Sequence, residues 1–214
     1  MRLKVAEEAA EAAFTVESVS VSQLSALQPT QAQYAFVVLS DLLSTPPAFE
    51  QSLLRYVRSG GGVWVAVGTS GARAPTVPVF GGKIIESRSY ARDGARFVSV
   101  GQVDAAYPSI EKADRWAGVK FFFAVRVDPA EATVAARLSD QTPLLLEKKI
   151  GEGRVLLFTS GLDNITNDFP QKPAWVPLID RTARYLSGTE SRSGSRVVDS
   201  FLELRTAKER SVSV

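Results

Sequence analysis

Two apolar runs separated by one amphipathic stretch constrain this chain more than anything else in it. The first is YAFVVLSD, residues 34–41, and the second is GVWVAVG, residues 62–68. Both are continuous and β-rich, which is how a strand covered on both faces of a parallel sheet reads. Between them Phe49, Leu53, Leu54 and Val57 recur at helical spacing. Thr45 offers a cap, Pro46 a first helical position and Gly60 a stop. Strand, helix and strand in this order make a βαβ unit, whose crossover is right-handed almost without exception.

The flanking segments extend the pattern. LKVAEEAAEAA, residues 3–13, is Ala/Glu-rich and predicts a helix. Phe14 to Val21 alternates and predicts a strand. After a Pro/Gly loop over 69–82, KIIESRSYARDGARFVSV predicts two short strands about a turn at Asp93-Gly94. RWAGVKFFFAVRVDP and EATVAARLSD add further β-rich runs. TPLLLEKKIGEGRVLLFTSG predicts a hairpin turning at Gly151-Glu152-Gly153, with Val155 to Thr159 as the last buried strand. A helix from Ala174 to Ser187 follows, its apolar stripe being Trp175, Leu178, Ile179, Ala183 and Leu186, with Gly188 as its stop.

Composition removes most catalytic options. With no cysteine there is no thiolate nucleophile and no sulfur-ligated metal. With no histidine, Ser-His-Asp and Cys-His catalysis are excluded, as is any imidazole metal site. Lysine, tyrosine or carboxylate chemistry is what remains. The net charge of +2 is too small to argue for nucleic acid. No run approaches the roughly 18 apolar residues of a membrane span.

Several blocks together carry a family likeness. YAFVVLSDLLSTPPAFEQSLLRYVRSGGGVWVAVG resembles the strand–helix–strand of class I glutamine amidotransferase-like domains, with a YV-x-x-GGG turn entering the central strand. GEGRVLLFTSGLDNITNDFPQKPAWVPLIDRTARYL is similar to the closing block of the branch found in bacterial membrane-anchored aerotolerance (Bat-like) proteins, often beside a von Willebrand A domain. The resemblance implies an α/β three-layer sandwich with a mainly parallel, flavodoxin-like sheet over residues 1–188. It also implies a soluble domain of a membrane-anchored, extracytoplasmic bacterial protein. The family's cysteine, histidine and glutamate are not carried over: VAVGTSG stands at the nucleophile elbow, and Tyr107 stands where a histidine is common. Residues 189–214 read as a linker followed by a β segment, VVDSFLELR and SVSV, the start of a following domain in a longer protein.

Three sites remain to be weighed. Ser70, in GGGVWVAVGTSG, has Gly68 two positions before it, but Ala72 stands where a nucleophile elbow needs its second glycine. A turn residue is the favoured reading, and a degenerate hydrolase or amidotransferase with a lysine or carboxylate base is the rival. The glycines at 60–62 precede the strand, so they do not form a dinucleotide or Walker cradle. The loop SGLDNITNDFPQKP, residues 160–173, leaves a strand end where α/β sheets bind ligands, and Asp163, Asn164, Asn167 and Asp168 offer oxygen donors. A small-molecule or cation sensor is the reading this loop allows, against ordinary Asx turns. Arg73, Lys83, Arg88, Arg92 and Arg96 read as a solvated basic region, and FFFAV as core. The expectation is a non-catalytic domain that binds a protein partner, including other domains of its parent, or a ligand. No cofactor or metal is expected.

Overall fold

The computed structural model describes residues 2–4, 14–90, 96–110 and 116–188. In chain order these form β1 (Arg2–Lys4), β2 (Thr15–Glu17), a 3-10 turn (Val21–Ala26), β3 (Phe36–Ser40), α1 (Pro47–Arg58) and β4 (Gly62–Ala66). There follow β5 (Ile84–Ser89), β6 (Val98–Val103), β7 (Lys120–Phe121), β8 (Phe123–Val127), β9 (Thr133–Leu138), β10 (Pro143–Ile150), β11 (Gly153–Phe158) and α2 (Trp175–Ser187). Seven strands in the order β3-β4-β11-β10-β9-β6-β7 make the main sheet, and β1 and β2 extend it beyond β3 to nine. A separate ribbon pairs β5 with β8.

The sheet is mixed, which corrects the expectation of a mainly parallel one. The β3–β4 and β4–β11 pairs run parallel. All other pairs within the sheet are antiparallel. The physical reason lies in the connections. A parallel neighbour needs a long crossover such as α1, whereas β10 returns directly into β11 through a turn at Gly151 and Glu152.

The core divides by strand alternation. Val37 and Leu39 of β3, Val63 and Val65 of β4 and Val155 and Leu157 of β11 share one buried cluster with Phe49, Leu53 and Val57 of α1. Phe36, Val38, Trp64, Leu156 and Phe158 point the other way and join Leu178, Ala183 and Leu186 of α2. Successive residues therefore serve opposite faces, which is why these strands read as unbroken apolar runs. Leu53 is fully buried, and truncating such a leucine to alanine costs roughly 2–5 kcal/mol.

Helix limits follow local chemistry. α1 begins one residue later than its sequence signals suggest, with Pro46 as N-cap and Pro47 at the first position. Thr45 instead donates its hydroxyl to Glu50 Oε2 at 3.1 Å. α2 ends on Gly188 at φ +70°.

Several expectations need correction. Leu3 and Lys4, read as helical, lie in β1, which pairs with β2 and β3, so sheet pairing overrides alanine-rich propensity there. Residues 5–13 lie outside the described residues. The strand expected over 14–21 is limited to Thr15–Glu17, because Ser20 and Gln23 cap a 3-10 turn that begins at Val21. β5 and β6 exist but are not a hairpin: β5 pairs with β8, and β6 with β9 and β7. Their expected turn at Asp93-Gly94, Arg92, and the linker and β segment at 189–214 all lie outside the described residues.

Candidate functional site

Because β3, β4 and β11 are parallel, their carboxyl ends open on the same side of the sheet. Asp41, the turn Gly68–Gly71 and the loop from Ser160 are brought together there. Asp41 follows β3 with φ +50°, in the left-handed region that Asp tolerates better than most residues. Its N–H donates to Ala66 O at 2.9 Å, which fixes the residue against the end of β4. The Asp41 carboxylate then accepts the N–H of Gly71 at 2.7 Å and that of Ser70 at 3.1 Å. Gly68 is what lets the carboxylate in, since a Cβ there would lie 2.8 Å from Asp41 Cγ.

This turn therefore has the form of an anion cradle, two converging backbone N–H groups, and the chain fills it with its own carboxylate. Ser70 is half-buried. Among the described residues its hydroxyl has no hydrogen bond to a lysine or a carboxylate. The chain leaves Ser70 in a single 3-10 turn, Gly71–Arg73, rather than in the long helix that follows a nucleophile elbow.

The second candidate loop is built from its own oxygen atoms. Asp163 Oδ1 accepts the N–H of Ile165 at 2.9 Å, and the N–H and hydroxyl of Thr166 at 2.8 and 2.9 Å. Asn167 is fully buried. Its amide donates to Ser160 Oγ and Gly161 O, and its oxygen accepts the N–H of Phe169. Asp168 takes the N–H of Lys120 at 2.7 Å and the Lys172 ammonium at 3.0 Å, latching the loop to β7. Asn164 is exposed. Asp163, Asn167 and Asp168 thus organise the loop and its attachment to β7. No cluster of three or more acidic side chains able to hold a metal occurs among the described residues.

At the opposite end of the sheet the glycines of the GGG stretch have a packing role. A Cβ on Gly62 would lie 2.5 Å from Leu186 O, so α2 can seat on β4 only above a glycine. A Cβ on Gly153 would lie 2.1 Å from Val57 O, and the same holds for α1 over β11. Beside this floor Glu147 of β10 accepts the hydroxyls of Tyr107 and Tyr185. The Arg154 guanidinium lies 4.2 Å from the Tyr185 ring centroid. Burial, reinforced by the bond to Glu147, raises the Tyr107 hydroxyl above the usual tyrosine range.

A further polar cluster lies at the β5–β8 ribbon. Burial alone would raise Asp140, but the Thr142 N–H, the Tyr90 hydroxyl and Arg88 outweigh it and hold the carboxyl below its ordinary value. Arg88 bridges Asp140 at 2.9 Å and Glu86 at 3.1 Å. The FFFAV segment is core: Phe121 is fully buried and stacks with Phe158 and Phe169. Asp41 and Glu147 are the residues sequence reasoning missed. For Asp41 the signal existed, an acidic residue closing a buried strand with a glycine-rich turn after the next one. For Glu147 and its tyrosines no local signal exists, because β10, α2 and the 104–110 loop meet only in the fold.

No protein-family model matches the chain, and no curated protein matches it. Similar solved structures do exist. The cytoplasmic protein STM3548 from Salmonella typhimurium aligns with a TM-score of 0.53 at 16% identity, covering 80% of this chain and 76% of that one. The cytoplasmic protein STM1381 from Salmonella typhimurium LT2 gives 0.55 at 14%, covering 75% and 76%. A β-galactosidase from Rahnella sp. R3 gives 0.51 at 14%, covering 78% of this chain but 24% of the enzyme. At these identities the likeness is one of fold. The resemblance to class I glutamine amidotransferase-like domains is thereby corrected: the similar structures include the two Salmonella proteins and the Rahnella β-galactosidase. The membrane-anchored parent protein that the resemblance implied loses its support with it. Among the described residues no helix is long and apolar enough to cross a membrane.

Proposed function

We propose that this chain is a non-catalytic interaction domain, an α/β scaffold in three layers with α1 and α2 on opposite faces of the sheet. The observation that carries this reading is Asp41 seated on the N–H groups of Ser70 and Gly71. A site meant to stabilise a substrate's developing negative charge needs those donors free. With them taken, Ser70 has no open oxyanion hole and, among the described residues, no lysine or carboxylate hydrogen-bonded to its hydroxyl. The loop at 160–173 engages Asp163 in its own turn and Asp168 with Lys120 and Lys172. Large apolar side chains stand exposed at the same end of the molecule: Leu43 after β3, Ile165 after β11 and Val176 in the first turn of α2, the last two above 70% exposure. Apolar groups left exposed beside the strand ends are available for contact with a protein partner. The occurrence of a similar fold within a longer β-galactosidase supports its use as one module among others.

An active-site-directed fluorophosphonate probe tests the reading. The expected result is no labelling of the native chain. Labelling that disappears in Ser70→Ala would overturn it, because it requires an activated serine.

A further inference from the structure

β5 ends the small ribbon, with β8 on one side. On the other, Pro75 O accepts the N–H of Ile84 and Thr76 bridges Lys83, so the start of the strand is covered and only residues 86–89 face no strand among the described residues. Which way its backbone points can be read from its partner. Val125 lies opposite Ser87, and its N–H goes to Thr159 O at 2.8 Å. Phe123 lies opposite Ser89, and its N–H goes to Thr166 O at 3.0 Å. Both donors turn away from β5, so Ser87–Val125 and Ser89–Phe123 are non-hydrogen-bonded pairs. The N–H and C=O of Ser87 therefore point out of the free edge. Ile85, Glu86 and Ser87 are all exposed there, Ile85 at 59%.

An open edge of this kind is a template for another strand, and the sequence around Ser87 is complementary to itself. Consider an antiparallel copy related by a two-fold axis through Ser87. Ser87 then faces Ser87 of the partner subunit, and their outward N–H and C=O groups exchange two hydrogen bonds. On either side, Glu86 faces Arg88 of the partner subunit and Arg88 faces Glu86 of the partner subunit. These are the closer, non-hydrogen-bonded positions, with Cα atoms about 4.5 Å apart, where opposite charges are favourable. An axis through Glu86 or Arg88 instead sets like charges opposite each other and presents backbone groups already used by β8. Within one chain Arg88 already bridges Asp140 at 2.9 Å and Glu86 at 3.1 Å, so the cation is held in place before a second copy arrives and Glu86 gains a second arginine on docking.

We propose that the outer edge of β5 is a homodimerisation surface, where a second copy of this chain joins the two ribbons into one four-stranded antiparallel sheet. β5 is only 6 residues long, and Pro75 covers its first, so the open edge is short. The contact belongs with transient interfaces below about 1,200 Å², and dissociation at roughly 100 µM is expected. The inference is independent of the interaction reading above, which a monomeric chain would leave standing.

Sedimentation equilibrium of the full chain, from about 5 µM to 1 mM, is the test. The native chain should pass from monomer to dimer across that range. Ser87→Pro removes the outward N–H while leaving the pairing with β8 intact, and it should weaken the dimer by at least about tenfold. Glu86→Arg sets arginine against arginine, Arg88→Glu sets glutamate against glutamate, and each alone should stay monomeric. Mixed together they should dimerise again, because opposite charges then meet at both flanking pairs, a recovery that misfolded variants cannot give. A native chain that stays monomeric throughout overturns the proposal. So does a dimer unchanged by Ser87→Pro, or a mixture no stronger than its components.

Discussion

Replacing Asp41 tests the account of the strand-end turn, and three substitutions divide the effect into its parts. The carboxylate accepts two backbone N–H groups, from Ser70 at 3.1 Å and Gly71 at 2.7 Å, from a residue held at φ +50°. A hydrogen bond to a charged group contributes about 1.5–3 kcal/mol net when buried. With Asp41 half-buried, the pair together is worth about 2–3 kcal/mol. The left-handed backbone costs an alanine roughly 1 kcal/mol more and a glycine nothing. Asp41→Ala should therefore destabilise by about 3–4 kcal/mol, Asp41→Gly by about 2–3 and Asp41→Asn by about 1, since the amide retains one acceptor oxygen. For a domain of this size 3 kcal/mol lowers Tm by about 6–12 °C. Thermal unfolding followed by circular dichroism, with urea titration as a second measure, reads all three. If Asp41→Ala lies within about 1 kcal/mol of the native chain, the carboxylate does not organise the turn. If glycine proves as damaging as alanine, the backbone component is wrong.

Two further outcomes follow from burial. The hydroxyls of Tyr56 and Tyr107 are raised above the ordinary value of 10.0, by burial in both cases and by Glu147 for Tyr107. The folded chain keeps these protons after the unfolded chain has lost them. The stability they contribute is complete below pH 10 and falls above it, by about 1.4 kcal/mol per pH unit for each tyrosine. Urea midpoints from pH 9 to 11.5 measure this, and a flat profile above pH 10 refutes it. Gly62→Ala forces a methyl to within 2.5 Å of Leu186 O and should cost about 2–3 kcal/mol. Gly81→Ala, at φ +76° with no atom within 4 Å, should cost roughly 1 kcal/mol from its backbone alone. Equal losses of Tm in the two would contradict the packing argument.

What the sequence disclosed was whatever short-range pattern controls. β3, α1 and β4 were legible because Phe36–Ser40, Phe49–Val57 and Gly62–Ala66 carry their own period and stops. The β10–β11 hairpin and α2 were legible through Gly151, Gly153 and Gly188. The other half of the sheet was not. β6 and β7 owe their places to partners distant in sequence, β9 joins its neighbour β10 locally but also takes the distant β6, and β5 reads as the mate of β6 until β8 is seen to take it. The same holds for the site. Asn167 looks like a surface ligand donor in its polar loop, yet it is fully buried and bonded to Ser160, Gly161 and Phe169. Burial of a loop amide leaves no trace in local composition. Asp41 could have been suspected from its position, but its two donors come from across the βαβ unit.

The mixed character of the sheet also sets an order of assembly. β11 meets β10 across a turn at Gly151 and Glu152, a closure that hairpins complete in microseconds. The same strand meets β4 in parallel, Arg154 beside Gly62, and that contact must close nearly half the chain. Such distant pairings dominate the time a domain takes to reach its native state. The hairpin and the βαβ unit are thus two locally encoded pieces, and loop-closure cost predicts that the seam between β4 and β11 joins them last. A substitution within the β10–β11 turn should register in the refolding rate only if that piece is formed at the barrier. One at the β4–β11 seam, such as a truncation of Leu157, should register in how fast the molecule comes apart.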